Sequence, residues 1–448
     1  MSSIHTTVAR ALDQCLSNTK NLSLRRIVEN TVEGEKERKA VFAIVCQVLK
    51  YREPITTIIA NSDMNQSASK GKKASLYLVL VYELLFGKGF KSAPSSLRAL
   101  VMPHKTRFTA ELAKLKIKKR AIKDEDLVPD HIRNAVVLPR YARVNTNITS
   151  IEKVLEALGK MGYVLGDYVE GLHLGKMKPK TVLHDPHIPN LLILPPNSDF
   201  HNSDLLLKGH IILQDKASCF PAFILNPSPN STVIDACAAP GNKTSHLSML
   251  MNNTGTIHAF DKDPLRLQTL IRLTGRAGYI KAKRTSFLDI DPKDKTYAEV
   301  SAILLDPSCS GSGITRRLDH LLVQSAAGKE SSTVVVEEDE ADENGGIINS
   351  EARIKALADF QVEVLMHAFK FKKVNRVVYS TCSKHRLENE GVVEAVLSAQ
   401  SEFQLAKNVF PEWGRRGVDG MKEVIRTLPE EDHCIGFFVA LFERKSKA

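Results

Sequence analysis

The sequence lacks the features that hold a secreted or membrane-spanning protein together. Its seven cysteines, Cys15, Cys46, Cys219, Cys237, Cys309, Cys382 and Cys434, are odd in number and widely spaced, with no CxxC pair. That pattern disfavours a disulfide framework and a zinc site, and points to a reducing compartment. No apolar run is long enough for a membrane helix. The longest, Leu76 to Val81, gives way to Tyr82 and Glu83, well short of the ~20 residues that span a bilayer. Met1 to Arg10 lacks the apolar stretch of a signal peptide. There is no GxxxxGK[ST] and no GxGxxG, which removes a P-loop and a dinucleotide fingerprint. No internal repeat is visible. What is present is ordinary for a globular protein: 43% hydrophobic and 25% charged residues rule out global disorder. At ~150 residues per domain, 448 residues correspond to about three domains.

Charge is the first positive signal. The formal net charge is +11. Residues 325–350 run against it, with seven acids (Glu330, Glu337, Glu338, Asp339, Glu340, Asp342, Glu343) against Lys329. Subtracting that −6 leaves +17 on the rest of the chain. A positive field of this kind favours a polyanion, most simply nucleic acid, over the bland alternative of a mildly basic soluble protein. Eight bases against Glu111 alone crowd residues 104–123: Lys105, Arg107, Lys114, Lys116, Lys118, Lys119, Arg120 and Lys123. A run like this is either a solvated helix face or a phosphate-contacting or nuclear-targeting segment.

Periodicity divides the chain. Residues 1–128 carry helical stripes, such as Ile4, Val8, Leu12 and Cys15, or Val41, Ile44, Val45, Val48 and Leu49. A helical N-terminal domain is expected there. Residues 138–204 read as a small α/β domain of RNA-binding type. Its signals are a strand at Arg140–Asn145, a helix with a capping box from Thr149 to Glu152, and a second strand from Tyr163. From residue 205 to 448 short apolar strands (Val233-Ile234, Ile257–Phe260, Ala302–Leu305, Val377–Tyr379, Phe437–Leu441) alternate with helical segments. Such alternation predicts a doubly wound, mostly parallel sheet, whose ligands sit beyond the carboxyl ends of the strands. The acidic stretch 325–350 is expected to be a disordered insertion in a loop of this domain.

The chemistry-bearing residues fall at those strand ends. Asp235-Ala236-Cys237-Ala238-Ala239-Pro240-Gly241-Asn242-Lys243-Thr244 reads as strand end, tight small-residue loop and helix start. Small side chains admit a ligand to the backbone, and one glycine leaves little room for a pyrophosphate. Asp261 ends the next strand, where an acid accepts hydrogen bonds from a ribose diol. Together they point to an adenosine ligand without phosphates, best matched by S-adenosylmethionine; the alternative is a turn that binds nothing. Two further strand ends carry cysteines, in Asp306-Pro307-Ser308-Cys309 and Thr381-Cys382-Ser383. A lone cysteine is usually a small buried hydrophobe. Two that converge on one cleft suit covalent catalysis, because a thiolate added to C6 of a pyrimidine makes C5 nucleophilic.

These motifs, with Gln214-Asp215-Lys216-Ala217-Ser218 and Gly436-Phe437-Phe438, resemble the NOL/NOP/Sun-domain family of RNA cytosine-5 methyltransferases, relatives of the RsmB/Fmu enzymes. The resemblance runs from about Val136 to Glu443 and is weaker over the helical N-terminus. It implies a Rossmann-like S-adenosylmethionine-dependent methyltransferase domain. By the family's pattern Cys382 is the nucleophile, Cys309 assists product release, and Asp306 and Lys243 lie at the target base. Cys237, Ala238, Ala239, Pro240, Gly241, Asn242 and Lys243 form the cofactor loop, with Asp261 at the ribose, Arg266 alongside and Asp306 near the cofactor; no metal is implied. Ser286 and Asp289 are the candidates for the family's adenine-contacting acid. Two departures, the shifted proline in Asp306-Pro307-Ser308-Cys309 and Asn242 in place of a second glycine, resemble the family-member-five branch. That branch implies methylation of a large-subunit (28S/25S-type) rRNA cytosine during ribosome biogenesis, in the nucleus and nucleolus. The implied partner is large-subunit rRNA or the pre-ribosome, with no membrane and a monomeric enzyme. The competing readings are a tRNA cytosine-5 methyltransferase and a non-catalytic ribosome-assembly factor. DNA methylation fits less well, because DNA enzymes use the cysteine of a Pro-Cys motif as nucleophile.

Overall fold

A computed structural model describes residues 3–17, 24–62, 64, 74–87, 89–90, 93–133, 136–275, 279–314 and 350–446. The expected acidic insertion lies outside them, except for Ser350, which begins a helix. Two compact units divide between Ala135 and Val136.

The first unit is helical, as its periodicity predicts. Its longer helices are Ile4–Leu16, Leu24–Thr31, Glu35–Lys50, Arg52–Ala60, Ala74–Leu85 and Lys105–Lys119. The i, i+3, i+4 stripes bury Val8, Leu12, Val41, Val45, Val48 and Leu49 in one core with Phe108. Tyr51 stacks on Phe86 with centroids 4.6 Å apart. Part of the basic run is neutralised locally: Lys116 pairs with Asp124 at 2.6 Å, Lys119 with Glu53 at 3.1 Å, and Lys114 with Glu111 at 2.9 Å.

The second unit holds two sheets. The smaller has five strands, β1 (Arg140–Val144), β2 (Val164–Leu165), β3 (Thr181–His184), β4 (Leu191–Leu194) and β5 (Ile211–Leu213), in the order β2-β3-β4-β1-β5. β5 pairs antiparallel with β1 and lies beyond the boundary expected at residue 204. The helix Ile151–Lys160 buries Val154 and Leu158 against this sheet. Its N-cap is Ser150 and no side chain caps it, so the capping box expected from Thr149 and Glu152 does not form. Alternation along β1 has a consequence for the site. Ala142 and Val144 join the sheet's own core, whereas Tyr141 packs in a second core with Phe220 and Leu247, and Arg143 reaches the same helix as Leu247.

The larger sheet runs β11-β13-β10-β9-β6-β7-β8, with β12 added beside β13. Its strands are β6 (Thr232–Asp235), β7 (Thr256–Asp261), β8 (Ile280–Arg284), β9 (Val300–Leu305), β10 (Arg376–Thr381), β11 (Phe403–Leu405), β12 (Ile425–Thr427) and β13 (Phe437–Arg444). β6 to β10 are parallel; β13 turns back antiparallel to β10, pairing Val378 with Leu441. Both faces are covered: Val233, Leu304 and Val378 enter one core, Ile234, Ile303, Val377 and Tyr379 the other. Strand sequences with both faces buried read as the near-continuous apolar runs noted above. The chain goes outward from β6 to β7 and β8, then returns to β9 and β10 on the other side of β6. Between β6 and β9 the order reverses, which opens a crevice at their carboxyl ends.

Candidate active site

Four carboxyl-end loops meet at this crevice. Asp235 closes β6, Asp261 closes β7, Asp306 follows β9, and Cys382 follows β10. Within them the two cysteines come together, with Cys309 Sγ 2.8 Å from Cys382 Sγ. The displaced proline of Asp306-Pro307-Ser308-Cys309 does not separate them. Hydrogen bonding to Cys382, then burial, then the nearby Cys382 and Glu388 charges push the Cys309 thiol well above its ordinary value. Cys309 therefore holds its proton strongly.

Lys243 is the second residue of the helix Asn242–Leu250. Its Nζ lies 2.5 Å from Asp306 Oδ2 and 5.4 Å from the centre of the Phe437 ring. Burial acts to lower its pKa, but the facing Asp306 outweighs burial and the net shift is upward. The ammonium thus stays charged. Asp306 is fixed from its other oxygen, since Ser380 Oγ donates to Oδ1 at 2.7 Å. Cys309, Cys382, Asp306 and Lys243 form one half of the site.

The other half is the loop. Gly241 has φ +105°, and a Cβ there would stand 3.1 Å from Leu270 Cα. Only glycine makes this turn without strain. The Ala239 N–H donates to Asp261 Oδ2 at 3.2 Å, and Arg266 Nη2 donates to the Ala239 carbonyl at 2.9 Å. Arg266 also stands 4.0 Å from Asp261 Oδ2. The loop, the acid and the arginine are therefore one connected group. Cys237 is raised by burial and by Asp235, so it remains a thiol. Ser286 spends its hydroxyl on the Leu288 N–H, and Asp289 is exposed.

Asp235 Oδ2 accepts from Thr244 Oγ1 at 2.7 Å, while Oδ1 has no hydrogen-bond partner among the described residues. Burial lifts this carboxyl to about 7, against the lowering effect of the Thr244 bond. A carboxyl whose pKa is raised in the fold takes up a proton on folding between about pH 4 and pH 7. Stability then falls as pH rises through that window. Asp235→Asn, which can still accept from Thr244, is expected to stabilise the unliganded protein at pH 8 by ~1–3 kcal/mol, the cost of a buried polar group left uncompensated. It should also flatten the decline between pH 4 and 7. Urea melts at pH 5 and pH 8 check both.

A set of residues that sequence reasoning passed over supports the cysteines. Glu388, fully buried, accepts at Oε1 from the Ser310 N–H at 2.8 Å and Gln361 Nε2 at 3.2 Å, and at Oε2 from Ser383 Oγ at 2.5 Å. One carboxylate thus ties the loop after Cys309 to the loop after Cys382. Asn389 holds Thr381 Oγ1 at 2.5 Å and the Ser383 carbonyl at 2.9 Å, and Glu390 makes a two-toothed pair with Arg426. Gly313 completes the frame. Its N–H donates to the Cys382 carbonyl at 2.8 Å, and a Cβ on it would fall 2.0 Å from the Gly436 carbonyl oxygen. The signal in the sequence was Glu388-Asn389-Glu390, three polar residues in a row at a helix start. Among the described residues no group of three His, Cys, Asp or Glu could hold a metal ion, and no helix is long and apolar enough to cross a membrane.

Three family models match the chain. They are the N-terminal domain of NOL1/NOP2/Sun domain family member 5 over residues 39–128, that member's ferredoxin-like domain over 138–214, and the 16S rRNA methyltransferase RsmB/F family over 222–329 and 331–443. A mouse 28S rRNA (cytosine-C(5))-methyltransferase is 40% identical over 91% of this chain and 84% of its own. A 25S rRNA (cytosine-C(5))-methyltransferase of Arabidopsis thaliana is 37% identical over 97% of this chain and 70% of its own. One from Schizosaccharomyces pombe is 37% identical over 94% and 87%. In three dimensions, a methyltransferase homolog from Pyrococcus horikoshii superposes with TM-score 0.51 at 24% identity, over 79% of this chain and 100% of that one. That likeness concerns the fold.

Proposed function

The chain belongs to the NOL1/NOP2/Sun-domain family, in the member-5 branch whose relatives are rRNA cytosine-C5 methyltransferases, and we propose that it methylates C5 of a cytosine in large-subunit rRNA through a covalent bond from Cys382 to C6. The observation that carries this reading is the pairing of Cys309 with Cys382 beside the Lys243–Asp306 ion pair.

S-adenosylmethionine fits the loop half of the site. Asp235 Oδ1 is a buried acceptor with an unmet lone pair, suited to the cofactor's ammonium group. Asp261 faces the loop with a carboxylate suited to a ribose diol, and residues 237–241 present small side chains. When bound, the cofactor supplies the methyl group. Every other task falls to the chain. The Cys382 sulfur adds to C6, which breaks the C5–C6 double bond and gives C5 enolate-like character. Asp306, oriented by Ser380 and Lys243, hydrogen-bonds the ring and Lys243 offsets the charge that develops on it. After C5 is methylated its proton must leave before the C6–S bond can break. That proton passes to water, its electron pair re-forms the C5–C6 double bond and Cys382 leaves as the thiolate; the Cys309 thiol, 2.8 Å away, hydrogen-bonds the departing sulfur and so assists release of the product.

The chain would act in the nucleus and nucleolus, where its substrate is made. The test is bisulfite sequencing of large-subunit rRNA and of tRNA from cells lacking the protein. Loss of a large-subunit site, restored by the wild type and not by Cys382→Ala, is expected. Loss confined to tRNA would move the substrate, and full recovery of growth and ribosome assembly with Cys382→Ala would favour the assembly-factor reading. For the cofactor, Asp261→Ala should weaken S-adenosylhomocysteine binding by ~1–3 kcal/mol, the value of a charge-assisted hydrogen bond. Calorimetry should find wild-type binding unchanged by EDTA.

A further inference from the structure

Among the described residues Arg143 is the largest fully buried side chain, and it forms no ion pair with any of them. It comes from β1 of the small sheet and leaves that sheet's own core. Its guanidinium donates from Nε to Gln214 Oε1 at 2.9 Å, and from Nη2 to Ser245 Oγ at 2.7 Å and to the Asn242 carbonyl at 3.0 Å; Nη1 lies against Met249 Sδ. Ser245 Oγ bonds the same Asn242 carbonyl at 2.9 Å.

Burial lowers the Arg143 pKa to about 10, which still leaves it charged at neutral pH. A buried charge without a counter-ion is costly, as is a cation near the positive end of a helix. Domain docking alone does not require it, because Asn147 Nδ2 already bonds Ser248 Oγ on the same helix at 3.0 Å. What distinguishes Arg143 is its target. The Asn242 carbonyl belongs to the peptide unit whose nitrogen is that of Lys243. That unit follows Gly241, the one position in the loop with a positive φ. Gly241 makes the turn cheap in strain, and it also makes the turn easy to distort.

We infer that Arg143 is a positioning residue for methyl transfer: it holds the Asn242–Lys243 peptide from beneath and so sets the Lys243 ammonium on Asp306. The inference rests on the role proposed above for Lys243. In this arrangement the small α/β domain takes part in building the catalytic half of the site.

The test is a double-mutant cycle on the full chain, using Arg143→Gln and Lys243→Gln with an rRNA fragment and S-adenosylmethionine. Arg143→Gln should lower kcat by ~100-fold, as a displacement of about 1 Å does in an active site. KM for the RNA should stay within about threefold, because uniform binding is untouched. In the Lys243→Gln background the same change should cost less than about threefold, since groups acting through one another are non-additive. Asn147→Ala, which removes the other bond to this helix, should leave kcat near wild type. If Arg143→Gln does not fold, Arg143→Lys takes its place, keeping the charge and losing the fork. A wild-type kcat in whichever variant folds overturns the inference. So does an equal loss in both backgrounds, or an Asn147→Ala protein as slow as the Arg143 variant. A Lys243→Gln protein as fast as wild type would instead remove the catalytic reading of Lys243, and this inference with it.

Discussion

Incubated with its rRNA substrate and S-adenosylmethionine, the Cys309→Ala protein should run on an SDS gel as a slow protein–RNA band. Cys382→Ala should give no such band. The reason is the order of bond making at one carbon. If Cys382 adds to C6 and Cys309 assists the later elimination, removing Cys309 blocks exit from a state that Cys382 alone can form. That state is covalent, so it survives detergent. Cys382→Ala never reaches it, and methyl transfer should fall on the order of 10⁴-fold or more, the scale seen when a covalent nucleophile is removed. The double variant should resemble Cys382→Ala. With the sulfurs 2.8 Å apart, proximity cannot tell the two apart, and the trapping experiment can. A band with Cys382→Ala and none with Cys309→Ala would exchange the roles.

Much of this site was legible because doubly wound sheets put chemistry at strand ends. A short apolar run followed by Asp261, Asp306 or Cys382 is a local pattern, and topology brings such patterns together without any long-range signal in the sequence. The strands β6, β7, β9, β10 and β13 were readable for the same reason: each is buried on both faces. β3, β4 and β5 were harder to see, since three or four residues among prolines and histidines give too short a run for period counting. The cap at Ser150 was misread as Thr149 because two adjacent hydroxyl residues satisfy the same pattern.

Buried charge was the larger blind spot. Glu388 and Arg143 are fully buried, yet composition assigns charged residues to the surface. Neither lies on an apolar stripe, and each draws partners from far away in sequence, Glu388 from Ser310 and Gln361 besides the nearby Ser383, Arg143 from Gln214, Asn242 and Ser245. Only the folded chain shows that the groups doing the positioning are the ones a burial scale would place in water.

Glu388 gives the second large effect. Glu388→Leu should lose methyl transfer by more than ~100-fold, the loss expected when reacting groups shift by about 1 Å. Leucine roughly fills the space and removes every acceptor. The Ser310 N–H and the one Gln361 amide hydrogen that Glu388 accepts would be left facing an apolar group, while the Ser383 hydroxyl can turn to Ser312 and the other Gln361 hydrogen keeps the Ser308 carbonyl. At ~1–3 kcal/mol for each buried donor left unmet, the protein should be destabilised by roughly 3 kcal/mol or more in a urea melt. Glu388→Gln should fall between. Its amide oxygen can still accept from Ser310 and Gln361, and its NH₂ can donate to Ser383 Oγ if that hydroxyl turns toward Ser312, whose Oγ is 3.3 Å away. The order wild type, Gln, Leu is then set by how many donors keep an acceptor. Combining Glu388→Leu with Cys309→Ala separates support from chemistry. If Glu388 holds the two cysteine loops in register, the pair should trap far less adduct than Cys309→Ala alone, at a temperature where both remain folded. Equal trapping would mean that the loops keep their arrangement without Glu388, and that its hydrogen bonds serve stability only.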